Sequence, residues 1–222
     1  MTKPTDISLI ENLDALQAIN GKVHASTQAK VLNKLEAHTR NFIARSPFLV
    51  LSTSSGGDSD ASPRGDNAGF VKVMDDTTLL IPERPGNRLA DSLTNILISP
   101  GVGMIFMIPG MNETLRINGK AYITDESKYL DMLVHNVVDG KKARPPKLAI
   151  VIDIEQVYFH CAKAFIRSKL WNVSLHMDRT EMPTLGKMLL DQIRGEGVTR
   201  EEVYMVDASL AQDAKDNLYH QQ

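Results

Sequence analysis

Phe48-Leu49-Val50-Leu51-Ser52-Thr53 opens a run, continuing to Thr124, of short apolar strands interrupted by polar loops. Two of these loops carry arginine: Ala61-Ser62-Pro63-Arg64-Gly65-Asp66, and Pro82-Glu83-Arg84-Pro85-Gly86-Asn87-Arg88. Between them, Gly69-Phe70-Val71-Lys72-Val73-Met74 reads as a strand, Asp75-Asp76 as its turn and Thr78-Leu79-Leu80-Ile81 as the return. Val102 to Ile108 is apolar throughout, the pattern of a strand buried on both faces. Thr114 to Ile123 alternates with period two, and Leu148 to Phe159 is the last strand. Ser54-Ser55-Gly56-Gly57-Asp58 makes a turn that joins Phe48–Thr53 to a second strand ending near Ser62.

Helical spacing surrounds this core. Ile7, Ile10, Leu13, Leu16 and Ile19 recur at three-residue steps. Ser26 is placed to cap a second helix with Val31, Leu32, Leu35, Phe42 and Ile43 on its apolar stripe, limited by Pro47. After the Pro85-Gly86 turn, Leu89, Leu93, Ile96 and Leu97 mark one face of a helix ended by Ser99-Pro100-Gly101. Helical signals return over residues 126–135 and 162–171, then over Met182–Arg194 with Pro183 at its start. Arg200–Asn217 follows, capped by Thr199 with Glu202 three residues on. The pattern predicts a mainly β protein with flanking helices: an antiparallel barrel of six strands. Residues 1–46 read as N-terminal helices packed on that barrel, 47–172 as the barrel and 173–222 as a helical extension, all in one structural domain.

The chain has 222 residues, of which 42% are hydrophobic, enough to bury a sizeable core. Its net charge of −2 gives no basic footprint, which argues against a nucleic-acid partner. One cysteine, Cys161, leaves no intrachain disulfide and no cysteine-based zinc site, and no histidine pair has metal-ligand spacing. No apolar run reaches bilayer length and the N-terminus lacks the form of a signal peptide, so the expectation is a cytoplasmic protein with no membrane partner.

Chemistry concentrates in the arginines. Asn87 stands where the cap of the following helix is expected. Free amides and the positive end of the helix would meet the guanidinium of Arg88 there, with Arg84 nearby. Such a set suits a phosphate monoester; the plainer reading is a capped helix with solvated arginines. Arg64 and Asp66 flank Gly65, and their plainer reading is a surface pair of little energetic weight. Lys72 and Arg116 sit within strands, where alternation sets their direction. Lys163 and Arg167 are four apart and form a compact positive patch beside His160 and Cys161. A cysteine nucleophile needs an oriented base; adjacent strand residues point apart, so this pair reads as structural. Trp171 reads as a core plug or an aromatic stacking partner.

The ordered series Phe48–Thr53, Ser62–Asp66, Gly69–Val71, Leu79–Pro82, Arg84–Leu89, Leu115–Ala121 and His160–Ala164 resembles the pyridoxamine 5'-phosphate oxidase-like flavoproteins. The likeness covers roughly residues 30–172. It implies an FMN-binding split β-barrel, six-stranded, antiparallel and Greek-key-like, that forms a homodimer with FMN in two equivalent sites at the interface. Carried onto this chain, Arg88 grips the flavin phosphate with Asn87 beside it. Phe70, Val71 and Lys72 run past the isoalloxazine ring, and Pro82, Glu83 and Arg84 form the second lining strand. Thr114 falls where the family uses a polar residue from the partner subunit. Arg64, Asp66, Arg116, Lys163 and Arg167 complete the implied cofactor set. The true oxidases also carry a C-terminal arginine–histidine element that binds pyridoxal phosphate. This chain has helices and Tyr219-His220-Gln221-Gln222 there, so vitamin B6 oxidation is not implied. The expected activity is FMN-dependent oxidoreduction of a small molecule, with no catalytic acid or base named. A non-catalytic flavin-binding or redox-sensing protein, and a barrel holding deazaflavin or haem, stand as alternatives.

Overall fold

The structure is a computed structural model that describes residues 7–84, 86, 89–134 and 145–216. Seven strands form one antiparallel sheet: β1 (Phe48–Ser54), β2 (Ser59–Gly65), β3 (Lys72–Val73), β4 (Thr78–Pro82), β5 (Gly101–Met107), β6 (Thr114–Thr124) and β7 (Ala149–His160). They lie in the order β2-β1-β5-β6-β7-β4-β3. The second strand, expected to end near Ser62, runs on through the first arginine-bearing segment to Gly65: β2 pairs residue by residue with β1, from Phe48↔Gly65 to Ser54↔Ser59, so Ala61 to Gly65 is not a loop. Pro63 is tolerated because β2 is an outer strand, where a missing N–H costs no ladder bond on the free side.

Alternation decides which way each strand faces. Leu49 and Leu51 of β1, Leu79 and Ile81 of β4, Met104 and Phe106 of β5, Leu115 and Ile117 of β6, and Ile150 and Ile152 of β7 share one buried cluster. β1 and β4 are separated by three strands in the sheet. Their side chains meet in one core because the sheet curls into a barrel. Among the described residues no ladder joins β3 back to β2, so the barrel is split. β5 departs from the expectation of burial on both faces: Val102, Met104 and Phe106 are buried, whereas Ile105 is 38% exposed.

A second small cluster covers the other face of β4. Leu80, Leu130, Leu133 and Ala149 pack there. Leu130 ends a short helix, α5 (Ser127–Leu130), and Leu133 lies on the 3-10 turn Asp131–Leu133 that follows, so the helix expected over 126–135 is shorter than its pattern predicts, its last residue lying outside the described residues.

The N-terminal helices are shorter than their periodicity predicts. α1 spans Leu13–Asn20, capped by Asn12, and none of its residues is buried. The predicted second helix divides into α2 (Ala25–Ala29) and α3 (Ala37–Arg45), because Leu32 leaves helical geometry to bridge Val157 of β7. Only α3 sends apolar side chains, Phe42 and Ile43, into the barrel core. Its start is not Ser26 but Glu36, whose carboxylate accepts from the His38 and Thr39 amides while Thr39 Oγ1 accepts from the Glu36 amide. The His38 amide, first among several hydrogen bonds, holds the Glu36 carboxyl below its ordinary value of 4.5. A lowered folded-state value adds stability above the unfolded pKa and loses it as pH falls through the folded one. Glu36→Ala is expected to cost about 1 kcal/mol at neutral pH. Thermal melts should show that gap closing in acid; a gap that widened in acid would contradict the cap.

α4 (Asp91–Ile98) follows β4 and sends Ile96 and Leu93 into the core, whereas Leu97 is exposed and Leu89 precedes the helix. α6 (Lys163–Ser168) follows β7. α7 (Leu185–Arg194), capped by Thr184, packs against α8 (Arg200–Asp216). The Gly186 amide donates to Asp207 Oδ1 at 2.8 Å, and Thr199 and Glu202 exchange side chain-to-backbone bonds at the start of α8.

Candidate functional site

Curling brings the end of β2 against the segment that leaves β4, and the two arginine-bearing segments meet there. Arg64 is the cross-strand partner of Leu49, a core residue, so its side chain lies on the inner face. Glu83 shares the inward side of Ile81 by alternation. The two join in an ion pair between Arg64 Nη1 and Glu83 Oε2. Arg84 alternates to the other side, with Leu80. Its Nε donates to Asp66 Oδ2 at 2.8 Å, and its Nη2 reaches the Leu133 carbonyl at 3.4 Å. Asp66 is almost fully enclosed, its side chain 1% exposed, and its Oδ1 accepts from the Asn67 amide. The pairing is therefore crossed between segments. It is not the Arg64–Asp66 surface pair that the local sequence allows. A pair this buried differs from an exposed one: removing either partner strands a charge.

One donor in this cluster has no use within it. Arg64 Nε is buried and lacks a hydrogen-bond partner among the described residues. Lys72, on β3 opposite Leu80, is half-buried and donates from Nζ to the Gly69 carbonyl at 3.0 Å. Gly69 itself has φ +81, and a side chain there would press on the Ala44 carbonyl. Phe70 and Val71 put their side chains into the core. Pro82 is buried at the end of β4, opposite Ala149.

Asn87 and Arg88 lie outside the described residues. The helix start predicted at Asn87 is corrected: α4 begins at Asp91 with Ala90, in left-handed conformation, as its cap. That end already has acidic company, with Asp91 in its first turn and Ser92 Oγ bonded to Asp60 Oδ2.

The other predicted residues sit elsewhere. Thr114 and Arg116 alternate to the face of β6 opposite the core residues Leu115 and Ile117. Arg116 has cross-strand partners Ile105 and Tyr158. Its guanidinium lies 5.4 Å from the Tyr158 ring centroid, and its buried Nε has no hydrogen-bond partner among the described residues. Lys30 approaches the same ring at 5.8 Å, a contact between positions too far apart along the chain for any local pattern to mark. Lys163 and Arg167 are exposed on α6, just beyond the His160 that pairs with Thr114. Cys161 is exposed, and Trp171 stacks on Phe165 and donates to the Met111 carbonyl at 2.7 Å. The structure thus joins Arg64 to Glu83 and Arg84 to Asp66 in two ion pairs between the same two segments, and sets Thr114 and Arg116 on the face of β6 away from the core.

No group of three metal-ligating side chains occurs among the described residues. No described helix is long and apolar enough to cross a membrane.

Residues 35–161 match the family described as pyridoxamine 5'-phosphate oxidase, and the chain belongs to that family. No curated protein matches the chain. Among solved structures, HupZ of Group A Streptococcus is 18% identical, covering 55% of this chain and 91% of its own, at TM-score 0.43. General Stress Protein 26 of Bacillus anthracis is 18% identical over 54% of this chain and 88% of its own, at 0.41. An FMN-binding protein from Syntrophomonas wolfei is 14% identical over 55% and 88%, also at 0.41. The fold is the split barrel of this family, mainly antiparallel sheet with flanking helices.

Proposed function

We propose that this protein is a flavoprotein that binds FMN by its phosphate and serves as an FMN-dependent oxidoreductase for a small molecule. The observation that carries the reading is the convergence of two arginines across the split of the barrel. One of them, Arg64, has a buried Nε with no partner among the described residues. A guanidinium N–H left unused by an ion pair suits a phosphate oxygen, and the family supplies the reason to expect a flavin. Arg64, Arg84 and Arg88 would hold the phosphate, with Asn87 beside them. The backbone of Phe70 and Val71, with Lys72, would run along the ring, and Pro82 would line the far side. Bound flavin supplies the electron transfer, and the chain supplies binding, orientation and exclusion of water. Residues 47–172 form the flavin-binding unit in this reading, with 1–46 and 173–222 as flanking additions.

The working unit we propose is a homodimer with two equivalent flavin sites. The outward row Val50, Ile105, Arg116 and Tyr158 supports this. It combines an exposed isoleucine with a buried guanidinium nitrogen that has no hydrogen-bond partner among the described residues, a surface better suited to a second copy than to water. Thr114, Arg116, Lys163 and Arg167 would then complete the partner's site.

Loading the purified protein with FMN and desalting it is expected to leave the visible bands of oxidised flavin on a particle twice the 24.6 kDa chain mass. Reduction by a nicotinamide cofactor and reoxidation by an acceptor would mark an oxidoreductase rather than a carrier. A colourless protein after desalting, or a flavin-bearing monomer, would contradict the reading.

A further inference from the structure

Asp66 and Glu83 stand within the arginine cluster, yet a carboxylate repels a phosphate. Each is instead committed to a guanidinium from the opposite segment: Glu83 to Arg64, and Asp66 to Arg84. Asp66 is anchored further by the Asn67 amide at 2.7 Å, and the segment by the Asp66 amide, which donates to the Pro47 carbonyl at 3.0 Å. Glu83 is anchored by its amide, which donates to the Leu148 carbonyl at 3.0 Å. The two carboxylates thus sit on fixed backbone at the two facing sides of the split. Arginine is a long side chain that loses much rotamer freedom when held, and one edge of its planar guanidinium bound to a carboxylate restricts where its remaining donors can go. With Nη1 held by Glu83, Arg64 Nε stays buried and makes no hydrogen bond among the described residues.

We propose that Asp66 and Glu83 are positioning residues: they latch the split of the barrel and hold Arg64 and Arg84 in the orientation that receives an anionic oxygen. This rests on the flavin reading for the identity of the anion, whereas the latch does not depend on it.

The two roles predict opposite signs. If the carboxylates were merely neighbours of the phosphate, neutralising them would strengthen FMN binding through lost repulsion. If they position the arginines, neutralising them weakens it. The test uses the full-length wild type, Asp66→Asn and Glu83→Gln, with Glu83→Asp as the conservative variant. Affinities for FMN and for riboflavin are measured by flavin fluorescence, and melting temperatures are measured without flavin. Riboflavin shares the ring and lacks the phosphate, so the ratio of the two affinities isolates the phosphate contact from any general loss of structure.

Both amide variants are expected to melt several degrees lower, since each removes the carboxylate charge from a largely buried ion pair. Both are expected to lose roughly tenfold or more of the FMN preference while riboflavin binding changes little. Glu83→Asp should recover part of it. If Asp66→Asn does not fold, Glu83→Gln, at a more exposed carboxylate, carries the test. An unchanged or increased FMN preference overturns the positioning role, and unchanged melting overturns the latch. A wild type that binds neither flavin overturns the flavin reading itself, and the melting arm still decides the latch.

Discussion

Gly119→Ala is expected to destabilise the protein by at least about 3 kcal/mol, or to prevent folding. A Cβ at this position would lie 2.0 Å from the Asp153 carbonyl oxygen, 3.0 Å from its carbon and 3.2 Å from Ile154 Cα. All three are backbone atoms of β7, so no rotamer change relieves the clash. The register explains the crowding. Asn118 pairs with Gln156 and Gly119 with Ile154, so Glu155 is passed over in a bulge. The bulge sits in the middle of the ladder that joins β6 to β7, the longest in the sheet, where the extra residue bends the bulged strand and raises its twist. Gly101→Ala is the control: nothing lies within 4 Å of its Cβ, and its melting temperature should stay close to wild type. Equal melting of the two variants would refute the packing described for the bulge.

Replacing Arg88 with alanine is expected to weaken FMN binding by about tenfold to a hundredfold, the worth of one or more charge-assisted hydrogen bonds to phosphate. Riboflavin binding should change far less, and melting without flavin should hardly move. Arg88 lies outside the described residues, so this expectation comes from the family resemblance and from its place four residues beyond Arg84. Arg194→Ala, which breaks an exposed pair with Glu202 on the C-terminal hairpin, is the matched loss of a cation and should leave FMN affinity unchanged. An Arg88→Ala protein that binds FMN as tightly as wild type would sink the assignment of the phosphate to this arginine.

Much of the sheet was legible because alternation is a local signal. β1, β4, β6 and β7 fall within a residue or two of the spans that Phe48–Thr53, Thr78–Ile81, Thr114–Ile123 and Leu148–Phe159 predict. Ala61 to Gly65 misleads because proline, glycine and charge usually mark a loop, and the edge position that permits them is a tertiary fact. Val102 to Ile108 reads as doubly buried because its residues are apolar throughout, whereas within β5 only Val102, Met104 and Phe106 face the core and Ile105 lies on the open face. The second helix failed at Leu32, where an apolar residue with helical spacing serves a bridge to β7 instead. The seam at Asn118/Gly119 has no sequence mark beyond one glycine in an alternating strand.

Of the candidate site, the residue types and the two segments were legible, and the partners were not. Opposite charges on Arg64-Gly65-Asp66 and Glu83-Arg84 allow local pairing as readily as crossed pairing, and only barrel curvature selects the crossed one. The start of α4 at Asp91 also lay beyond reach, since Pro85-Gly86-Asn87 carries a stronger cap signal than Leu89-Ala90.

The most direct measurement is a titration of flavin-free protein with FMN and, separately, with riboflavin. The account predicts saturable binding of one FMN per chain with riboflavin at least about a hundredfold weaker, because the arginines act on the phosphate. Equal affinity for the two flavins, or no binding of either, would contradict it.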